Sequence, residues 1–134
     1  LAFAQMERAE FLVNRRCEVA KMYDEAFKDC DYIIPQKILP GHTSTYWTYT
    51  VRYERDDWFD LYDEVKLAGG DGFYGGLSVP YHEPIMKNYN YIKGDCPNAE
   101  TVQPKMMQFK ANYRDLLEAS EKISILSNVI KTRK

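Results

Sequence analysis

Residues 1–28 constrain this chain most. Ala2, Met6, Ala9, Val13, Ala20, Tyr23 and Phe27 recur at helical spacing, which predicts one long helix with an apolar stripe. Charges such as Arg15, Glu18 and Lys21 fall off that stripe. At about 100° per residue Phe11 points almost opposite it, and Phe3 and Met22 also lie off it. A helix that is apolar on two sides needs two partners. The remaining residues can supply one; another domain or a second subunit would supply the other. The helical pattern is already running at Leu1, so a piece cut from a longer protein is expected.

Further along, a period of two replaces the helical period. In TYWTYTVRY (45–53), Trp47, Tyr49, Val51 and Tyr53 alternate with Tyr46, Thr48, Thr50 and Arg52, the pattern of a strand with one buried face. Tyr46 and Arg52 fall on the opposite face, the candidate for exposure. DYIIP (31–35) predicts a short strand stopped by Pro35, and Pro40-Gly41 a turn. Asp56-Asp57 opens a helix whose buried face is Leu61, Tyr62, Val65 and Ala68, and Gly69-Gly70 ends it. Residues 73–79 read as a glycine-weakened strand or extended loop, and 86–95 as irregular. Pro97 suits the first turn of a short helix closed by Pro104, and 106–109 predicts a strand. A final helix spans 115–130, with Asp115 and Glu118 at capping-box spacing and Leu116, Ala119, Ile123, Leu126 and Ile130 as its stripe.

That order predicts an α+β fold: a small, few-stranded, mostly antiparallel sheet with helices packed on it. At 134 residues the chain reads as one domain, 1–134. A net charge of −2 with interspersed signs offers no basic field for nucleic acid. No segment reaches the roughly 18 apolar residues of a membrane span, and no signal-peptide pattern is read. Cys17, Cys30 and Cys96 are odd in number and match no zinc spacing, so reduced thiols and a cytoplasmic location are expected.

The segment GGDGFYGGLSVPYHEP (69–84) holds the candidate chemistry. A solvated loop uses glycine, but it does not usually spend Phe73, Tyr74, Tyr81 and His82 as well; such loops tend to face a ligand or another chain. The run is no phosphate loop, because it lacks the Lys-Ser/Thr ending and opens no predicted helix. Its glycines are expected to permit positive φ or the close approach of another backbone. His42, in GHTSTYW, reads as a turn residue bonded to nearby backbone, while His82 is balanced between ligand contact and loop structure. Asp71 and Glu83 could each act as a base, although a lone loop acid usually caps a turn. These residues make no self-sufficient catalytic constellation and no metal site.

Four segments in order resemble the C-terminal small domain of the DegT/DnrJ/StrS family of pyridoxal-phosphate (PLP) sugar aminotransferases, of aspartate-aminotransferase fold type. Leu1, Ala4, Gln5, Met6, Arg15, Arg16 and Tyr23 are similar to the helix that joins the large and small domains, here 1–28. GHTSTYWTYTVRYERDD is similar to the following strand, with its His/Ser/Tyr start and its Arg-Asp exit at Arg55 and Asp56. GGDGFYGGLSVPYHEPIM resembles the loop that turns toward the active site. CPNAETVQPKMMQFKANY resembles the Cys-Pro-x-Ala-Glu segment and its strand. The GDGFYGG and QPKMMQFK wording is similar to a subgroup that makes amino sugars for cell-surface polysaccharides.

The resemblance implies a homodimeric parent that moves an amino group from glutamate to a keto group on a nucleotide-linked sugar. It places PLP, as a Schiff base on a lysine, in an N-terminal large domain that this chain lacks. The chain alone is then expected to be inactive and to hold no PLP. Tyr74, Tyr81 and His82 are expected to line the sugar side of the cleft. His42, Ser44 and Tyr46 would stand near the cofactor mouth or serve the structure. Two other readings stay open: a stand-alone α+β module binding a small molecule or protein, and a relative with PLP-dependent dehydratase or regulatory function. Exposure of Phe3 and Phe11 would favour a missing domain over the module.

Overall fold

The computed structural model describes residues 2–76, 78–90 and 93–133. Helices α1 (Ala2–Met6) and α2 (Ala9–Phe27) lead into strands β1 (Ile33–Pro35) and β2 (Thr48–Tyr53). Then follow α3 (Trp58–Leu67), β3 (Tyr74–Gly75), α4 (Pro97–Val102), β4 (Met106–Lys110) and α5 (Leu116–Thr132). The strands form one sheet in the order β1-β2-β4-β3, every neighbouring pair antiparallel. The fold is α+β, as its element order predicts.

Cross-strand partners share a face of a sheet. Tyr49 pairs with Phe109, Val51 with Met107 and Ile33 with Tyr53, and all six are buried. That face carries the helices: α2 contributes Val19, Ala20, Tyr23 and Phe27, α3 Leu61 and Val65, and α5 Ala119, Ile123, Leu126 and Ile130. Aromatic rings fill the seam. Tyr23 stacks on Tyr49 with centroids 4.8 Å apart, and Phe27 meets Phe109 at 5.5 Å. Each such side chain contributes about 1.5–3 kcal/mol by leaving water. The other face alternates polar residues: Thr50 pairs with Gln108, and the Thr48 hydroxyl donates to Gln108 Oε1 at 3.2 Å. The cap of α5 is as its spacing predicts. The Asp115 side chain accepts from the Glu118 amide at 2.9 Å, and the Glu118 carboxylate accepts from the Arg114 amide. That backbone bond to Glu118, foremost, holds the Asp115 carboxyl below its ordinary value.

Several expectations need correction. The single helix over 1–28 is two, broken at Glu7 and Arg8, where Arg8 leaves helical geometry at φ −106° and ψ 3°. A five-residue helix is too short to hold itself in line with its neighbour. Met6, placed on the buried stripe, is exposed, and Val19, left off it, is fully buried. Trp47 does not share the buried face of Tyr49. It precedes β2, beside Tyr46 in the left-handed region at φ +45°, and is 75% exposed. That turn of the backbone delays the strand to Thr48, three residues after the sequence pattern begins. Ala68 is exposed at the end of α3. The irregular reading of 86–95 misses a short 3₁₀ turn over Pro84–Tyr89; residues 91 and 92 lie outside the described ones.

Candidate functional site

The segment between α3 and β4 is assembled from three kinds of anchor. The first is conformational: Gly69, at φ +85°, ends α3 in a region that side chains rarely adopt, and its carbonyl accepts from Lys122 Nζ at 2.7 Å. The second is apolar. Phe73 is buried against Tyr62, Phe109 and Trp58, at 5.3, 5.2 and 6.2 Å between centroids. Phe73 therefore faces the core and not a ligand, because the ring one residue before β3 points to the helix-covered side of the sheet. The third is a close backbone approach. A Cβ on Gly76 would lie 2.5 Å from the Gln103 backbone carbonyl oxygen, and the Gln103 side-chain Nε2 donates back to the Gly76 carbonyl at 3.3 Å.

Beyond these anchors the chain makes a 3₁₀ turn over Pro80–His82 and another over Pro84–Tyr89. Tyr81 and His82 come together edge to face, with centroids 4.7 Å apart. Both meet Glu100 of α4. The Tyr81 hydroxyl donates to Glu100 Oε1, and His82 Nε2 lies 3.8 Å from that same oxygen. The Gly94 amide donates to it at 2.7 Å, and the Cys96 amide donates to the Tyr81 hydroxyl at 3.2 Å. The Tyr81 bond first, then the Gly94 amide, holds the Glu100 carboxyl below its ordinary value. Partial burial, then the Glu100 bond, pushes the Tyr81 phenol up. Tyr74 stands apart from these bonds, exposed on β3 opposite Gln108. Glu83 accepts from the Ser78 hydroxyl and so serves the turn.

At the start of β2, His42 Nδ1 lies 3.2 Å from the Pro40 carbonyl, within its own turn. The Ser44 hydroxyl accepts from the Tyr46 amide at 3.2 Å, and the Tyr46 ring stacks on Tyr49. All three residues thus have structural partners.

Sequence reasoning quoted Glu100 only as part of a motif. Three residues after Pro97 it reads as an acid favouring the first turn of a helix, and nothing local shows that it also reaches Tyr81. A second grouping also went unread. Lys110 lies 3.8 Å from Asp71, 3.4 Å from Glu118 and 4.4 Å from the centre of the Tyr113 ring. Lys110 and Lys122 are the half-buried lysines among the described residues. One is committed to two carboxylates and the other to a carbonyl. A Schiff-base lysine needs a desolvated amine free of such bonds, and both of these amines are engaged. A groove of about 1080 Å³ runs between α2 and α5, lined by Lys21, Met22, Tyr32 and Ile123 among others; it contains none of Tyr74, Tyr81 and His82.

A family model described as the DegT/DnrJ/EryC1/StrS aminotransferase family matches residues 1–123. An uncharacterised protein of Methanocaldococcus jannaschii, MJ1066, is 28% identical over 102 residues, covering 73% of this chain and 26% of that protein. Among solved structures, DesV of S. venezuelae superposes with a TM-score of 0.80 at 17% identity, over 96% of this chain and 34% of that one. The PLP form of Spr1654 of Streptococcus pneumoniae gives 0.79 at 18%, over 97% and 34%. PseC of Helicobacter pylori, an aminotransferase of pseudoaminic acid biosynthesis, gives 0.76 at 19%, over 97% and 36%. At these identities the likeness is one of fold. The chain spans about a third of the length of the solved proteins it matches.

Proposed function

The chain belongs to the DegT/DnrJ/EryC1/StrS aminotransferase family, and we propose that it is the C-terminal small domain of a PLP-dependent aminotransferase acting on a nucleotide-linked keto sugar. The observation that carries this reading is the uneven burial of the first helical segment, α1 and α2. Its C-terminal half is buried in the core, while Phe3 is 77% exposed and Phe11 50% exposed. The guanidinium groups of Arg8 and Arg15 lie 5.9 and 4.5 Å from the Phe11 ring centre, cations over an apolar ring. A free-standing module should cover these rings itself; a domain cut from a larger protein leaves them to its neighbour. The chain's span of about a third of its structural relatives supports the same reading.

In this reading the large domain lies upstream and supplies the cofactor lysine. Lys110 and Lys122 do not fit that task, so no chemical step is assigned to this chain. Its part is to close one side of the cleft, with Tyr74, Tyr81 and His82 toward the sugar, and to contribute to a homodimer. Glutamate would be the amino donor, and the product an amino sugar for a surface polysaccharide. No described helix is long and apolar enough to cross a membrane, and we place the parent in the cytoplasm. The test is a PLP titration followed by visible absorbance. The protein read from the continuous upstream frame should develop a stoichiometric band, and the 134-residue chain should not. A stoichiometric band with the short chain, or no lysine-bearing domain upstream, would overturn the proposal.

A further inference from the structure

We propose that the groove between α2 and α5 is a binding site for a small uncharged ring that carries one hydroxyl or similar hydrogen-bonding group. The groove holds about 1080 Å³, the scale at which a pocket takes up a small molecule. Ala26 on α2 and Ser124 and Ser127 on α5 line it, and side chains this small leave its space open. Met22 and Ile123 supply an apolar floor that packs on the core below. The thioether of Met22 can adjust to the outline of a guest.

Ser127 is the residue that points to a ligand. It is 8% exposed, the buried polar side chain among the described residues. Its hydroxyl makes no hydrogen bond among them. Helical hydroxyls commonly bond back to the preceding turn, as Thr101 does to the Pro97 carbonyl and Thr132 to the Val129 carbonyl, both at 2.7 Å. Nor is the Ser127 oxygen sealed in the interior: the sealed unpaired atoms among the described residues are Asp71 Oδ2 and Arg133 Nε. Ser127 therefore keeps an opening onto the groove that it lines. A buried hydroxyl without a partner is costly, and a polar group seated in the groove would offset that cost. The rim decides the charge. Lys21 and Lys131 stand against Asp29 and Asp31, and Lys28 pairs with Glu25. Arg55 lies 3.6 Å from the centre of the Tyr32 ring and donates to the Arg133 carbonyl at 2.7 Å. Neither sign prevails, so the apolar floor and the one buried hydroxyl select a neutral ring.

Methyl NMR of the 134-residue chain tests this with phenol and fluorobenzene, rings of like size of which phenol alone has a hydroxyl. Both should shift the Met22 and Ile123 methyl signals to saturation, phenol with the higher affinity. Ser127→Ala should weaken phenol about fivefold, the worth of one neutral hydrogen bond, and leave fluorobenzene within about twofold. Ser124→Leu fills the groove from an exposed position and should abolish the saturable shifts with both probes. Should Ser124→Leu fail to fold, the Ser127→Ala comparison decides alone. Groove methyls that do not respond, or phenol affinity that ignores Ser127→Ala, would mean that water alone meets this hydroxyl, and the proposal falls. Phenol binding that survives Ser124→Leu overturns it as well. The protein read from the continuous upstream frame should bind phenol at the same methyls. Loss of binding there would make the groove a seat for the upstream domain and not a ligand site.

Discussion

The two halves of the first helical segment have similar composition and opposite fates. From Val19 to Phe27, α2 lies in an aromatic seam with Tyr49, Phe109 and Tyr113; from Phe3 to Phe11, the chain holds large apolar rings out to solvent. The difference teaches that the helical pattern reports where partners are needed and not whether they are present. The buried half is a core element of this domain. The exposed half is the surface that the proposed upstream domain would cover, and it includes the break at Glu7–Arg8.

The largest effect that could break this contrast is alkaline. Burial, foremost, pushes the phenols of Tyr23, Tyr49, Tyr53 and Tyr113 well above their ordinary value. Their folded values exceed their unfolded ones, so the stability they support is intact below pH about 10 and is lost as pH rises beyond it. Helical circular dichroism and tyrosinate absorbance should therefore change together in a base-driven unfolding. Tyr23→Phe, which keeps the ring but not the phenol, should move that transition to higher pH; an unmoved transition would contradict the assignment.

Next in size is Phe27→Ala, expected to cost about 3–5 kcal/mol by urea unfolding because it empties a fully packed site. Gly76→Ala should cost about 1–3 kcal/mol, since its Cβ would press on the Gln103 carbonyl at 2.5 Å, a backbone atom that cannot swing away. That result sharpens the comparison by showing that the chain after β3 is held against the backbone at Gln103, just past α4. Smallest is Phe11→Ala, expected within about 0.5 kcal/mol of wild type in this chain. A loss above 1 kcal/mol would mean that Phe11 already has a partner here.

Much of the fold was legible because periodicity is local. The alternation of Tyr49, Val51 and Tyr53, the stripe of α5 and the Asp115/Glu118 cap all depend on residues a few positions apart, and each appears as read. Trp47 was misplaced for the complementary reason: the left-handed turn at Tyr46 is a choice of loop path that alternation does not record. In the candidate site, the glycine-aromatic wording of 69–84 marked the region, and the two roles expected of its glycines occur at Gly69 and Gly76. What it did not disclose was the division of labour. Phe73 looked like its neighbours but fills the core, and Glu100 looked like a helix-start acid but gathers Tyr81, His82 and Gly94.

By itself the sequence determined most of the elements, their order and the family, since each is written in short-range spacing or in motifs kept in line. Only the tertiary structure decided which apolar faces are covered and which acid meets which ring. Those outcomes depend on contacts between residues far apart in the chain, such as Tyr23 with Tyr113, 90 positions apart, and Tyr32 with Ile130, 98 apart, and desolvation acts on a side chain through whatever the folded chain places beside it.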